Sequence, residues 1–462
     1  MLTRLTAGVK TSVFFFFRPI TIIRSYHQTS LRPDLVAGLT VAVILLPQAI
    51  AYALMAGIPP QLGLYSAIVA AIIGALWGSS NQLQTGPTNT ASVLVLTTLL
   101  PIAVAGSPKF LAAASLLALM VGVFRLLLGV ARLGLLVNFV SDSVIIGFTA
   151  GAGVLIWINQ IGHLLRLTIP NSSSMVDTLQ NLAGQIAKSH WPSLLMGIMI
   201  GALVLILPRI HRKLPGALIA LVLSAIIFRI FNLERSGFST IGAIPAGLPP
   251  LTDFSQINLD LILQLGSGAL AIGAIGLVEA LSIARSISSQ TGQRIDSNQE
   301  FVGQGLSNIA CGIFSGFPGS GSFSRSAVNL NAGAQTQMAS VFSGLFVLIT
   351  ALLLGPLTAY VPRAAIAGIL MVIAYGMIDT KEIARILHGA PGDVFIMAMT
   401  FVATLLLPLQ FAVLIGILAS FAIYILRTSV PRVMCVLPDE NFKHLVYQPD
   451  KPTCTQFAIF KI

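Results

Sequence analysis

Residues 319–329 read GSGSFSRSAVN, a run of glycines and serines that sets one arginine, Arg325, between long apolar stretches. The chain around it has 462 residues, 55% hydrophobic and only 9% charged, with a mean hydropathy of +0.90. A soluble globule cannot cover itself with so little polar surface, so the chain reads as a membrane protein. An arginine inside hydrocarbon costs about 3 kcal/mol or more on insertion scales, so Arg325 should face a watery cavity or a partner. The plainer reading is that it snorkels to an interface.

Working outward, runs with the length and apolarity of a spanning helix recur, among them LTVAVILLPQAIAYALMAG and FLAAASLLALMVGVFRLLLGVA. Fourteen apolar segments can be marked, several of them short. They form two groups of seven, residues 34–233 and 258–428, separated by a Pro/Gly-containing linker, 234–257, and flanked by a basic N-terminal segment, 1–33, and a tail, 429–462. The VFFFF run near the start lacks a small-residue cleavage site, so residues 1–33 read as lying on the membrane surface. A net charge of +11 could suggest nucleic acid, but the basic residues sit at segment ends. Positive-inside placement explains them better: Arg4, Lys10, Arg18, Arg24 and Arg32, the cluster Arg209, Arg212 and Lys213, and Arg427 with Arg432 all fall on one side, so both termini are expected in the cytoplasm of an inner or plasma membrane. Cys311, Cys435 and Cys454 form no disulfide pattern.

An odd number of spans per group gives the halves opposite topology, as an inverted-repeat transporter requires, and such folds interrupt matching helices in both halves. The interruptions fall at the third segment of each group: QLQTGPTNTASVLVLTTLL in the first, and the opening stretch in the second. A half-helix that starts at mid-membrane points backbone N–H groups, equivalent to about half a positive charge, at whatever lies before it. Two facing N-termini make an anion site. Ser322, Ser324 and Ser326 are expected to cap the second half-helix and offer hydroxyls, while Thr85, Thr88, Thr90 and Ser92 do so at the first.

Glu279, in LAIGAIGLVEALSIARSI, is a second intramembrane charge. It either carries a proton or pairs with a buried serine or amide. Arg285, nearer the helix end, reads as an interfacial anchor. Gln48 and Tyr52 lie four apart on one helix face after Pro47 and either line the cavity or pack.

The stretches LLPQAIAYALMAGIPPQLGLYSA, TGPTNTAS, DSNQEFVGQGLSNIACGIFSGFPGSGSFSRSAVN and AGAQTQMAS, in that order, resemble the SulP anion transporters, which include sulfate permeases, bicarbonate transporters, chloride exchangers and prestin. The resemblance implies an all-α membrane fold of fourteen transmembrane segments in seven-plus-seven inverted repeats. Segments 1–4 and 8–11 would form a core moving like an elevator against a gate of segments 5–7 and 12–14. It places the anion on Ser322, Ser324, Arg325 and Thr88, puts Gln48 and Tyr52 at the cavity wall, and matches Glu279 to the carboxylate of proton-coupled sulfate members. Ser288 stands where sodium-coupled bicarbonate members carry an aspartate. TQFAIFKI is similar to the first strand of a STAS domain, so the tail is expected to begin a truncated one.

Together these readings point to a secondary transporter taking up sulfate or a similar small inorganic anion with protons, embedded in the lipid bilayer, with no cofactor, metal or nucleic acid and with a homodimer expected from the resemblance. The alternatives on the same scaffold are a sodium-coupled bicarbonate transporter, an uncoupled exchanger or channel, a nucleobase permease and a voltage-driven motor. A membrane-embedded enzyme is the alternative of another class. No metal motif or nucleophile–base set stands out among the histidines His27, His163, His190, His211, His388 and His444.

Overall fold

The computed structural model describes residues 15–134, 141–167, 175–210, 215–243, 247–255, 258–407, 409–429, 434–438, 445–447 and 459–461. Arg4, Lys10, Arg212, Lys213, Arg432 and Cys454, named above for their charge or sulfur, lie outside them. In order, the first half supplies α1 (Arg18–Arg24), α2 (Gln28–Met55), α3 (Pro60–Trp77), β1 (Thr85–Gly86), α4 (Asn89–Leu99), α5 (Pro108–Val130), α6 (Asp142–Leu164), α7 (Met175–Gln185), α8 (Trp191–Ile210) and α9 (Gly216–Ile230). The second supplies α10 (Leu259–Thr291), α11 (Ser297–Ile313), β2 (Ser320–Gly321), α12 (Phe323–Asn331), α13 (Met338–Leu354), α14 (Arg363–Gly376), α15 (Thr380–Leu387), α16 (Pro391–Leu406) and α17 (Leu409–Ser429). The tail adds β3 (Met434–Pro438), β4 (Leu445–Tyr447) and β5 (Ile459–Lys461), an antiparallel sheet in the order β4-β3-β5.

Among the described residues, seven helical stretches are long and apolar enough to cross a bilayer: α2, α3, α5, α6, α8, α10 and Arg363–Leu387. On α8 the side chains of Leu195, Ile198, Met199, Leu205 and Ile206 are exposed, which hydrocarbon tolerates and water does not. This is a multi-pass integral membrane protein. Helix α2 starts at Gln28, ahead of the expected boundary at 34, and carries Pro33 and Pro47 in its interior.

Local chemistry sets the ends of these helices. Ser107 Oγ accepts the Phe110 N–H at 3.2 Å, with Pro108 at the first helical position of α5. Asn258 caps α10 through Leu261 N–H at 2.8 Å, and Gly292 closes it at φ +72°. Asp296 accepts the Asn298 and Gln299 N–H groups and starts α11.

The helices pack in two groups. Helices α2–α5 pack with α10–α13, and α6, α8 and α9 pack with α14, α16 and α17. Within the first group α5 lies against α11 on glycine: a Cβ on Gly305 would sit 2.6 Å from Leu126 N, and one on Gly122 would sit 2.5 Å from Ile309 N. The linker is strapped to the second half, since Arg363 N–H donates to Ser239 O (2.9 Å) and Thr252 Oγ1 to Gly312 O (2.6 Å).

Two helices of the first group cannot span. Helix α4 has 11 residues and α12 has 9, about 16 and 14 Å of rise against a hydrocarbon core of about 30 Å. The breaks before them satisfy each other: β1 and β2 pair antiparallel, Thr85 opposite Gly321 and Gly86 opposite Ser320. Ser322 N–H extends the pairing to Gln84 O at 2.9 Å. Irregular backbone at membrane depth thereby finds its hydrogen bonds inside the protein.

Candidate functional site

The strand pair brings the N-termini of α4 and α12 together. Thr88 is the N-cap of α4, with extended backbone, and its Oγ1 accepts the Ala91 N–H at 3.3 Å, which leaves its own O–H as a donor. Ser322 occupies the N-cap of α12 but makes no side-chain cap bond; its Oγ lies 3.4 Å from Ser324 Oγ, and Ser324 is exposed. The expected serine cap of the second half-helix is therefore absent. Ser326 is turned the other way, buried, with its hydroxyl accepting the Gln84 N–H at 2.9 Å, so it fastens α12 to the chain leading into β1. Thr85, Thr90 and Ser92 are likewise engaged: Thr85 Oγ1 accepts from Gln304 Nε2 (2.8 Å), Thr90 Oγ1 donates to Asn89 Oδ1 (3.4 Å) and Ser92 Oγ to Thr88 O (2.7 Å).

Arg325 is fully buried in the first turn of α12. Its Nη1 donates to Gln48 Oε1 at 3.1 Å, while Nε and Nη2 have no protein partner. Nη2 lies beside Gly86, where a Cβ would approach it to 3.2 Å. Gln48 comes from α2, as does Tyr52, which is buried and close enough to interact with the Arg325 charge. Glu279, on α10, is half-buried and is directed at the Thr90 side chain beside the α4 cap, within the field of Arg125. Arg285 is exposed, with Nη2 3.5 Å from Ser297 Oγ. The structure thus gathers Gln48, Tyr52, Thr88, Glu279, Ser322, Ser324 and Arg325 around one strand pair.

Several supporting residues had no sequence reading. Arg125 is fully buried and donates to three carbonyl oxygens. Its signal was an ionisable residue inside the apolar run VGVFRLLLG, the same rule that marked Arg325. Glu300 accepts the Ser79 (2.9 Å) and Ser80 (3.2 Å) N–H groups and one from Gln304 Nε2 (3.3 Å). Asn308 holds Gly319 on both sides, accepting its N–H at 2.9 Å and donating to its carbonyl at 3.2 Å. Asp34 accepts the Gln335 and Thr336 N–H groups and the Thr336 hydroxyl, tying the start of α2 to the start of α13. Among the described residues no cluster of His, Cys, Asp or Glu could hold a metal ion.

Two helix N-termini and a buried guanidinium with two unpaired donors lie together in this helical membrane protein, an arrangement whose chemistry suits a small anion. Residues 31–400 match the model of the sulfate permease family, and the chain belongs to that family. The "Sulfate transporter 4.1, chloroplastic" of Arabidopsis thaliana is 32% identical over 452 residues, 95% of this chain and 65% of that protein. The "Putative sulfate transporter YvdB" of Bacillus subtilis is 33% identical over 409 residues, 88% of this chain and 76% of that protein. The chain thus spans about two-thirds to three-quarters of the length of these relatives. Among solved structures, the transmembrane domain of the cyanobacterial bicarbonate transporter BicA superposes with a TM-score of 0.76 at 28% identity, covering 86% of this chain and 98% of that one. Its relatives are named as transporters, and the chain is a transporter-family protein, not an enzyme.

Proposed function

We propose that the chain forms the membrane part of a secondary anion transporter, taking up sulfate or a similar small oxyanion with protons by an elevator motion. Arg325 carries the reading: a fully buried permanent cation with two unpartnered donors, set beside two helix N-termini. The anion would lie before Ser322 and Thr88, taking hydroxyl donors from Thr88, Ser322 and Ser324 and the field of Arg325, with Gln48 and Tyr52 as its wall. The names of the relatives favour sulfate; the likeness to BicA supports bicarbonate as the second reading.

In this proposal the α2–α5 and α10–α13 group is the moving core and the other group is the gate. The two halves are inverted repeats of seven spans, residues 34–233 and 258–428, with α4 and α12 as their third members. The termini are cytoplasmic, and a second copy of the chain is a candidate partner. Each elementary charge moved across 100 mV costs about 2.3 kcal/mol, so a protonated Glu279 would offset part of the anion's charge during the step. Uptake of labelled sulfate and bicarbonate into proteoliposomes, under an imposed proton gradient, sodium gradient or neither, tests this. Sulfate uptake that needs the proton gradient and disappears in Arg325→Ala supports the reading. Uptake indifferent to Arg325→Ala, or bicarbonate uptake driven by sodium, overturns it.

A further inference from the structure

Arg325 is not alone beside the strand pair: Arg125, on α5, bonds Gly319, the residue just before β2. It is fully buried, and its Nε donates to Gly273 O (3.2 Å), its Nη2 to Ile272 O (2.8 Å) and its Nη1 to Gly319 O (2.6 Å). All three acceptors are neutral carbonyls, so they hold the guanidinium in place without cancelling its charge. Gly319 lies directly against Gly86, since a Cβ on Gly319 would come within 2.5 Å of Gly86 O, and Gly86 is the residue beside Arg325 Nη2. The two guanidiniums are thus joined through one pair of glycines.

The acid that faces Arg125 is Glu279. Ile272, Gly276 and Glu279 fall on one face of α10, spaced four and three apart. Gly276 is the position where a Cβ would run into Arg125 Nη2, and its carbonyl accepts from Ser320 Oγ of β2 at 2.7 Å. The other titratable groups coupled to this set are Cys311 of α11, facing Arg125, and Tyr52 of α2, beside Arg325; α4 contributes only the neutral Thr90.

We propose that Arg125 is a specificity-determining residue, the second fixed cation of the anion site, and that with Arg325 and Glu279 it sets the valence of the anion accepted. This rests on the anion-site reading above. Two guanidiniums and an ionised carboxylate leave one net positive charge, which a single bicarbonate neutralises. When Glu279 takes a proton, two charges remain, which a sulfate dianion neutralises. A weakly solvated site penalises whichever anion leaves a residual charge.

The test is uptake of labelled sulfate and labelled bicarbonate by the same proteoliposomes at clamped zero potential, over a series of pH values, with the wild type, Arg125→Gln, Arg125→Lys, Glu279→Gln and Arg325→Ala. In the wild type the sulfate-to-bicarbonate ratio, with each rate divided by the concentration of that anion itself at the working pH, should rise as pH falls. Arg125→Gln should lower that ratio about tenfold. Arg125→Lys, which keeps the charge and loses the three-carbonyl clamp, should lower both rates and keep the ratio. Glu279→Gln should hold the ratio high at every pH, and it keeps the idea falsifiable should Arg125→Gln fail to fold. An unchanged ratio in Arg125→Gln, a ratio that falls as far in Arg125→Lys as in Arg125→Gln, or a wild-type pH dependence of the ratio in Glu279→Gln would overturn the proposal. Uptake that survives Arg325→Ala would instead remove the site reading on which it stands.

Discussion

Glu300→Ala should be among the most destabilising single substitutions outside the proposed anion site. The carboxylate is 1% exposed and holds the Ser79 and Ser80 N–H groups at 2.9 and 3.2 Å, with Gln304 Nε2 on its other oxygen. Removing it leaves two buried amide donors without acceptors, at about 1–3 kcal/mol each, so the expected loss is about 2–6 kcal/mol. Glu300→Gln is the discriminating partner. Its amide would set an NH2 against the Gln304 NH2, but Gln304 Oε1 has no partner. Rotating the Gln304 carboxamide turns Oε1 toward both the new NH2 and the Thr85 hydroxyl, which can donate where it now accepts. Glu300→Gln should therefore cost less than about 1.5 kcal/mol and retain most of the sulfate uptake. Thermal unfolding of the detergent-purified proteins, with uptake in proteoliposomes, reads both. If Glu300→Gln unfolds as early as Glu300→Ala, the charge facing Arg18, not the acceptor geometry, is what holds this corner, and the reasoning fails.

Thr88→Val removes the cap of α4 and should cost about 1 kcal/mol of stability and raise the KM for sulfate, while Thr88→Ser should restore both; thermal unfolding and uptake kinetics check it. Gly276→Ala places a methyl where Arg125 Nη2 lies and should cost about 1–3 kcal/mol through overpacking, seen as a lower unfolding midpoint. Asp34→Ala should lower the midpoint by an amount equivalent to about 2–4 kcal/mol, because the Gln335 and Thr336 N–H groups lose their acceptor. Asp34→Asn, which keeps one oxygen, should lose less than half of that in the same melt.

The two broken helices were legible because each combines a turn sequence with a run too short to cross. TGPTNTAS supplies Gly86, Pro87 and the cap Thr88, and GSGSFSRS adds an arginine that hydrocarbon would expel. What joins them was not legible. Strands β1 and β2 have two residues each, too few for any alternating pattern, and their pairing is a long-range fact of packing. Arg125 escaped notice because its 23-residue helix reads as one continuous span, and averaging over such a window hides one charge. The serines show a subtler limit. Composition marks Ser322, Ser324 and Ser326 alike, but helical geometry turns Ser326 back toward Gln84 and leaves Ser324 exposed.

The two half-helices are not equivalent as anion poles. At α4 the first-turn donors are already engaged: Thr88 Oγ1 takes the Ala91 N–H and Asn89 Oδ1 takes the Thr90 N–H at 2.8 Å. At α12 no side chain caps the first turn, so the backbone donors around Phe323 and Ser324 keep their full pull beside the Arg325 guanidinium. A capped terminus gains stability and gives up part of its field; an uncapped one does the reverse. In the proposed anion site the first half-helix would therefore serve chiefly as the stable wall and the second as the attractive pole. On that division substitutions at Thr88 weigh on folding at least as much as on affinity, whereas those at Ser322 and Arg325 weigh mainly on the anion.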